Sequence, residues 1–146
     1  MQYQQLGLIV GGLVPAVLFG INGVLNKVAV LEGIGMPVYF IFIGMGAIIV
    51  GLITTWYSRD HRRSAVAVWA AVGAGVSWSL AVMGSVYAIG VLQVPLSKLV
   101  PLYNMNTLIA VILAFWIFQE HRSVRVPSLL LGSVLIVVGG TIVTIA

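Results

Sequence analysis

Five apolar stretches, each about as long as a bilayer is thick, take up nearly all of this chain. They run from about Leu6 to Leu31, Pro37 to Tyr57, Val66 to Val91, Pro95 to Phe118 and Val126 to Ala146. A helix rises about 1.5 Å per residue, so about 20 apolar residues cross the hydrocarbon core. The links between them, Glu32 to Met36, Ser58 to Ala65, Leu92 to Val94 and Gln119 to Arg125, are too short to fold alone. In hydrocarbon a backbone must satisfy its own N–H and C=O groups, which favours helices. The expectation is an all-α integral membrane protein, a bundle of about five transmembrane helices forming one domain over residues 1–146. An apolar hairpin buried in protein is the alternative for any one span.

Composition excludes the competing class. The chain is 61% hydrophobic and 7% charged, with a mean hydropathy of +1.16, whereas a soluble domain is about 45–50% apolar and about 25% charged. No water-soluble fold of this size hides so much apolar surface. The net charge of +4 is no nucleic-acid footprint, because the arginines lie in short links between apolar spans. There is no cysteine, which excludes disulfide and thiol chemistry. The first residues, Met1 to Gln5, lack the positive segment of a cleavable signal, so the first apolar stretch is expected to stay as a membrane helix.

Orientation follows from the basic residues of the links, which accumulate on the cytoplasmic side. Arg59, Arg62 and Arg63 follow the second span, and Arg122 and Arg125 follow the fourth. Both groups fall on one side, and the opposite links carry only Glu32. The N-terminus is therefore expected in the cytoplasm and the C-terminus outside. Trp56, Tyr57, Trp69 and Trp116 then lie near cytoplasmic helix ends, at the headgroup level that amphipathic rings prefer.

A few residues could carry chemistry. Gly11, Pro15, Phe19, Asn22 and Asn26 recur at helical spacing and share one stripe of the first helix. Two amides beside a proline could line a substrate cavity or bond to a neighbouring helix, and the sequence leaves both readings open. A neighbouring stripe, Gly12, Ala16, Gly20, Gly23 and Lys27, is small up to its last turn, as are the Gly7–Gly11 step and the Ala74, Ala81, Ser85, Ala88 face. These are read as packing surfaces.

Lys27 and Lys98 are ionisable groups inside spans, which marks them as functional candidates, although both lie close enough to the external end to snorkel. Lys98 stands between Pro95 and Pro101. The second proline removes the hydrogen bond that its amide would give to Ser97 and loosens the helix around the lysine. Tyr103, Asn104, Asn106 and Thr107 follow, with Asn104 and Asn106 about 200° apart on a regular helix. The candidate substrate-binding set is Lys98, Asn22, Asn26, Lys27, Tyr103 and Asn104.

Asp60-His61-Arg62 and Glu120-His121-Arg122 echo one another, but adjacent arginines repel a cation, and they read as wet loop residues. No nucleophile elbow, P-loop or zinc spacing occurs. The expectation is no metal, no cofactor and no enzyme activity.

The stretch from Pro95 to Val143 resembles the end of an EamA-type repeat of the drug/metabolite transporter superfamily. The matching elements are a proline-bearing helix start, an apolar helix closed by Glu120, a basic turn, and a final helix with Gly132, Gly139 and Gly140. Phe19-Gly20 followed by Lys27 resembles that repeat's first helix, with Phe19 in place of a tryptophan. The five-helix bacterial and archaeal members are the most similar group. The resemblance implies transport of small metabolites, with an anionic or zwitterionic substrate, by a half-transporter in the inner membrane.

Full-size members of that superfamily contain two repeats in opposite orientation, so the implied partner is a second copy or an inverted paralogue. A chain inserted one way cannot form an inverted pair with itself. It needs an oppositely oriented relative, minority insertion or a parallel dimer. A lipid-carrier flippase subunit and a non-transporting membrane scaffold or assembly protein are the alternatives. The superfamily's four-helix exporters fit less well, because they carry a glutamate in the first helix and this chain has none there.

The orientation is testable because the chain has no cysteine. We predict that a membrane-impermeant maleimide applied to intact cells labels Gly33→Cys and spares Ser64→Cys. Full labelling of Ser64→Cys reverses the topology.

Overall fold

The computed structural model describes residues 2–58, 64–119 and 124–146. Among these residues there is no strand, and five helical stretches are long and apolar enough to cross a membrane: Gln5–Leu31, Met36–Tyr57, Ala65–Gly90, Leu96–Phe118 and Val126–Ile145. The protein is an all-α, multi-pass membrane protein. The observed spans match those expected from hydropathy to within a residue at most ends, and the differences lie inside two of them.

The first span is α1 (Gln2–Leu8), a π-helical segment (Ile9–Leu13) and α2 (Val14–Leu31) in series. In the π segment the Val14 N–H donates to Ile9 O, one residue farther back than in an α-helix. Pro15 explains the widening. It has no N–H for the Gly11 carbonyl, and its ring would collide with that carbonyl in a regular helix. The extra residue moves Gly11 and Gly12 off the stripes assigned to them by a constant helical period. The amide face of α2 begins at Pro15.

The second span is α3 (Met36–Tyr57) and the third is α4 (Ala65–Gly90). The turn from α2 to α3 is a Schellman cap. Gly33 N–H donates to Val30 O (3.1 Å) and Ile34 N–H to Ala29 O (3.3 Å). Gly33 takes φ +79° to do so, a left-handed backbone that a side chain disfavours. Glu32→Cys is accordingly a better probe of this link for the labelling test than Gly33→Cys. At the far end of α4, Gln93 adopts φ +56°, and its side-chain amide donates to Gly90 O (2.6 Å).

The fourth span is broken. Sequence periodicity gives one helix loosened near Pro101, whereas the structure has α5 (Leu96–Tyr103), a turn at Asn104 and Met105, and α6 (Asn106–Phe118). Met105 N–H reaches Leu102 O (3.2 Å) and Thr107 N–H reaches Asn104 O (3.1 Å), both across three residues. The chain thus tightens just after α5, three to six residues beyond Pro101, whose own missing donor lies inside α5 at Ser97. The last span is the single helix α7 (Val126–Ile145), with Pro127 in its first turn, where a missing N–H costs nothing.

The chain divides into two compact units, Met1–Gln93 and Val94–Ala146. In the first, Tyr39, Val82 and Val86 form a small buried cluster, with Ala29, Val30, Ile34, Met36, Phe40 and Ile43 against it. α2 approaches α4 so closely that a Cβ on Gly90 would lie 2.9 Å from Val30 Cγ1. Gly7, Gly11, Gly12 and Gly20 have open space where a Cβ would go. These positions are therefore not covered by the other helices of the first unit. A shallow apolar groove of about 440 Å³ lies along α4, beside Val76 and Met83, and is bordered by Phe40 of α3.

In the second unit α5 and α6 both pack on α7. Gly140 is buried against α5, and a Cβ there would meet Pro101 O at 2.6 Å. Backbone cannot yield as a side-chain tip can. We predict that Gly140→Ala destabilises the protein by about 1–3 kcal/mol through overpacking, whereas Gly139→Ala, which meets nothing within 4 Å, leaves stability unchanged or slightly raised. Thermal unfolding of the two purified variants in one detergent checks this, and equal behaviour refutes the close approach.

Candidate functional site

The polar residues of the first unit are joined in a chain of side-chain bonds. Asn22 and Asn26 lie one turn apart on α2, and Asn26 Nδ2 donates to Asn22 Oδ1 at 3.1 Å. From α3 the Tyr39 hydroxyl donates to Asn26 Oδ1 at 2.7 Å. Tyr39 is 5% exposed, and its ring meets Phe40 edge-on at 5.3 Å. Two helices are thus tied by a phenol to an amide, and the second amide extends the chain toward the middle of α2. Among the described residues no buried side-chain polar atom lacks a hydrogen-bond partner.

This arrangement bears on both readings of the amides. It supplies the interhelical bonding that membrane amides commonly provide, and it meets part of their polar demand within one copy. Both amides are only half-buried, so the face is not sealed. Lys27 follows Asn26 directly and is half-buried as well. Tyr39 was not among the residues expected from sequence. Its only signal was a tyrosine near the same end of its span as Asn26, and periodicity within one helix does not reveal a partner on another.

The second unit holds the remaining candidates. Lys98 sits in the first turn of α5, half-buried, and no acidic residue shares α5 or α6. Tyr103 is the last residue of α5 and is exposed, and Asn104 begins the turn that follows. Because Asn104 lies outside regular helix, the 200° separation from Asn106 expected of a continuous helix does not apply. The Asn104 carbonyl accepts from both the Thr107 N–H (3.1 Å) and the Thr107 hydroxyl (2.9 Å), which closes the start of α6. α7 contributes Thr144, whose hydroxyl lies 3.2 Å from Lys98 O and 2.8 Å from Gly140 O.

The candidates thus fall into two sets, Asn22, Asn26 and Lys27 in one unit and Lys98, Tyr103 and Asn104 in the other. Asp60, His61, Arg62, Glu120, His121 and Arg122 lie outside the described residues, as do Arg59 and Arg63. Among the described residues no three metal-ligating side chains come together, and Glu32 is the only carboxylate side chain.

The chain was compared with protein-family models, with curated proteins and with solved structures, and none matches.

The Tyr39 bond can be isolated by substitution. Tyr39→Phe keeps the ring in its cluster and removes the hydroxyl, so we predict a loss of about 0.5–1.5 kcal/mol, the range for hydrogen bonds between membrane helices. Tyr39→Ala, which also empties the cluster, should cost about 3–5 kcal/mol. Unfolding of both variants in mixed micelles measures the difference, and a Tyr39→Phe protein as stable as the parent shows that the phenol is not holding α3 to α2.

Proposed function

We propose that this protein is a membrane transporter of small metabolites, an EamA-type half-transporter acting in a homo- or hetero-oligomer of the inner membrane. Its N-terminus lies in the cytoplasm and its C-terminus outside. The observation that carries the reading is the broken fourth span. Irregular backbone at membrane depth is tolerated where protein or a water-filled path receives its polar groups, and discontinuous helices are a common way of building transporter sites. Here the short half of the broken span carries Lys98, and the break carries Asn104. The second interruption, at Pro15, precedes the face of Asn22 and Asn26 on α2.

In this reading the Lys98 ammonium receives the anionic end of a substrate at the external side of the path. Tyr103 and Asn104 supply further hydrogen-bonding groups there, and Asn22, Asn26 and Lys27 are a second set of candidate substrate contacts, in the other unit. With no acid on its own span before Glu120, Lys98 gains a partner from a substrate carboxylate or phosphate.

One observation favours a second reading, that of a non-transporting membrane scaffold. The bonds from Tyr39 to Asn26 and from Asn26 to Asn22 are what helix packing alone requires. Function at Lys98 distinguishes the two.

We predict that proteoliposomes containing the protein accumulate label from a ¹⁴C-labelled mixture of amino acids and organic acids, and that Lys98→Ala removes most of this uptake at unchanged expression and oligomer size. Lys98→Arg should impair it too, because a planar fork does not replace a point charge. A snorkelling lysine gains little from pairing in water and would tolerate both changes. Unchanged uptake in Lys98→Ala ends the proposal for this residue, and no uptake by the parent protein favours the scaffold.

A further inference from the structure

Eight residues make α5 too short to hold its shape or place by itself. It is also cut off from α6 by the turn at Asn104 and Met105, and Pro101 inside it leaves the Ser97 carbonyl without its helical donor. Whatever fixes the position of Lys98 must therefore come from outside that span. In the unit Val94–Ala146 the neighbour is α7, and two of its close approaches to α5 bear on the lysine. At one, Gly140 lies against the Pro101 carbonyl, so close that no Cβ fits. At the other, the Thr144 hydroxyl reaches the Lys98 carbonyl at 3.2 Å. The two points are about one turn apart on each helix and run in opposite directions, as they must for antiparallel neighbours.

The hydroxyl has one proton and two acceptors. Its shorter approach, 2.8 Å to Gly140 O, is the back-bond that threonines make within their own helix. The longer one crosses to α5 and ends on the peptide unit of Lys98 itself. A threonine that only satisfied itself would need no such neighbour. Gly140 allows the close approach, and a hydroxyl shared with the Lys98 carbonyl would resist rotation of α5 about its axis. A long side chain magnifies any such rotation, so the placement of the ammonium depends on this contact more than the backbone does.

We propose that Thr144 is the positioning residue of Lys98, and that its hydroxyl holds the lysine at the depth and angle from which it meets an anion. The inference deepens the reading of Lys98 as the substrate-receiving group, but its test needs no substrate. Lys27 and Lys98 are the only lysines, so Lys27→Arg leaves Lys98 as the single side-chain amine. The rate at which sulfo-N-hydroxysuccinimide acetate acylates Lys98 in nanodiscs, read by peptide mass spectrometry at fixed pH, then reports how the amine is held.

In that background Thr144→Val keeps the shape and removes the donor, and should raise the rate about three- to tenfold, the equivalent of one hydrogen bond between membrane helices. Thr144→Ser keeps the donor and should stay within about twofold of the parent. Thr144→Ala is a second donor-free variant and should follow Thr144→Val should the latter fold poorly. A rate unchanged or lowered in the donor-free variants overturns the assignment, and so does an equal rise in Thr144→Ser. Unchanged transport in Lys98→Ala would instead end the substrate reading and leave the tether to be judged by acylation alone.

Discussion

Hydrocarbon gives the helices of this protein no reason to hide apolar side chains from it, and the structure shows the consequence. The buried hydrophobic residues among those described are Tyr39, Val82, Val86 and Ile89, while large side chains such as Leu52, Ile48 and Leu135 are mostly exposed. Lipid tails are as apolar as leucine, so helices associate through close packing and hydrogen bonds. Each unit has one of each. In the first, Gly90 admits Val30 and Tyr39 bonds to Asn26. In the second, Gly140 admits the Pro101 carbonyl and Thr144 bonds to Lys98. A glycine for approach and a hydroxyl for direction are the common means.

Proline acts in both units by withholding a donor, with different results. At Pro15 the helix widens into a π segment and continues, so the first span stays one rod. Pro101 stays inside α5, and the chain turns only after it, at Asn104 and Met105, and starts again, which separates a two-turn piece from the rest. The difference follows from what comes next. After Pro15 the next four residues, Ala16 to Phe19, are all apolar, whereas within five residues of Pro101 come Tyr103, Asn104 and Asn106. Asparagine competes for backbone hydrogen bonds and favours turns over helix interiors.

The spans were legible because the bilayer imposes their length and composition, and a window of hydropathy is enough to find Met36–Tyr57 or Val126–Ile145. Orientation is an expectation from Arg59, Arg62, Arg63, Arg122 and Arg125, of which all but Arg125 lie outside the described residues. The candidate residues were legible as types, since an amide or a lysine stands out in so apolar a chain. Their partners were not. Tyr39 and Thr144 look like ordinary residues near span ends, and only packing between helices shows that one meets Asn26 and the other Lys98. The break at Asn104 was half legible, because Pro101 announces a lost bond without saying whether the chain bends or restarts.

The π segment at Ile9–Leu13 has a consequence for the directions in which the first span faces. A single surplus residue in a helix is a shift of phase by about 100°, so the faces of α1 and α2 are out of register by that angle while the rod remains continuous. Gln5 to Leu8 therefore face about 100° away from where a constant helical period would put them relative to Asn22 and Asn26. A face that begins as one stripe in the sequence is thereby split into two directions along the same span.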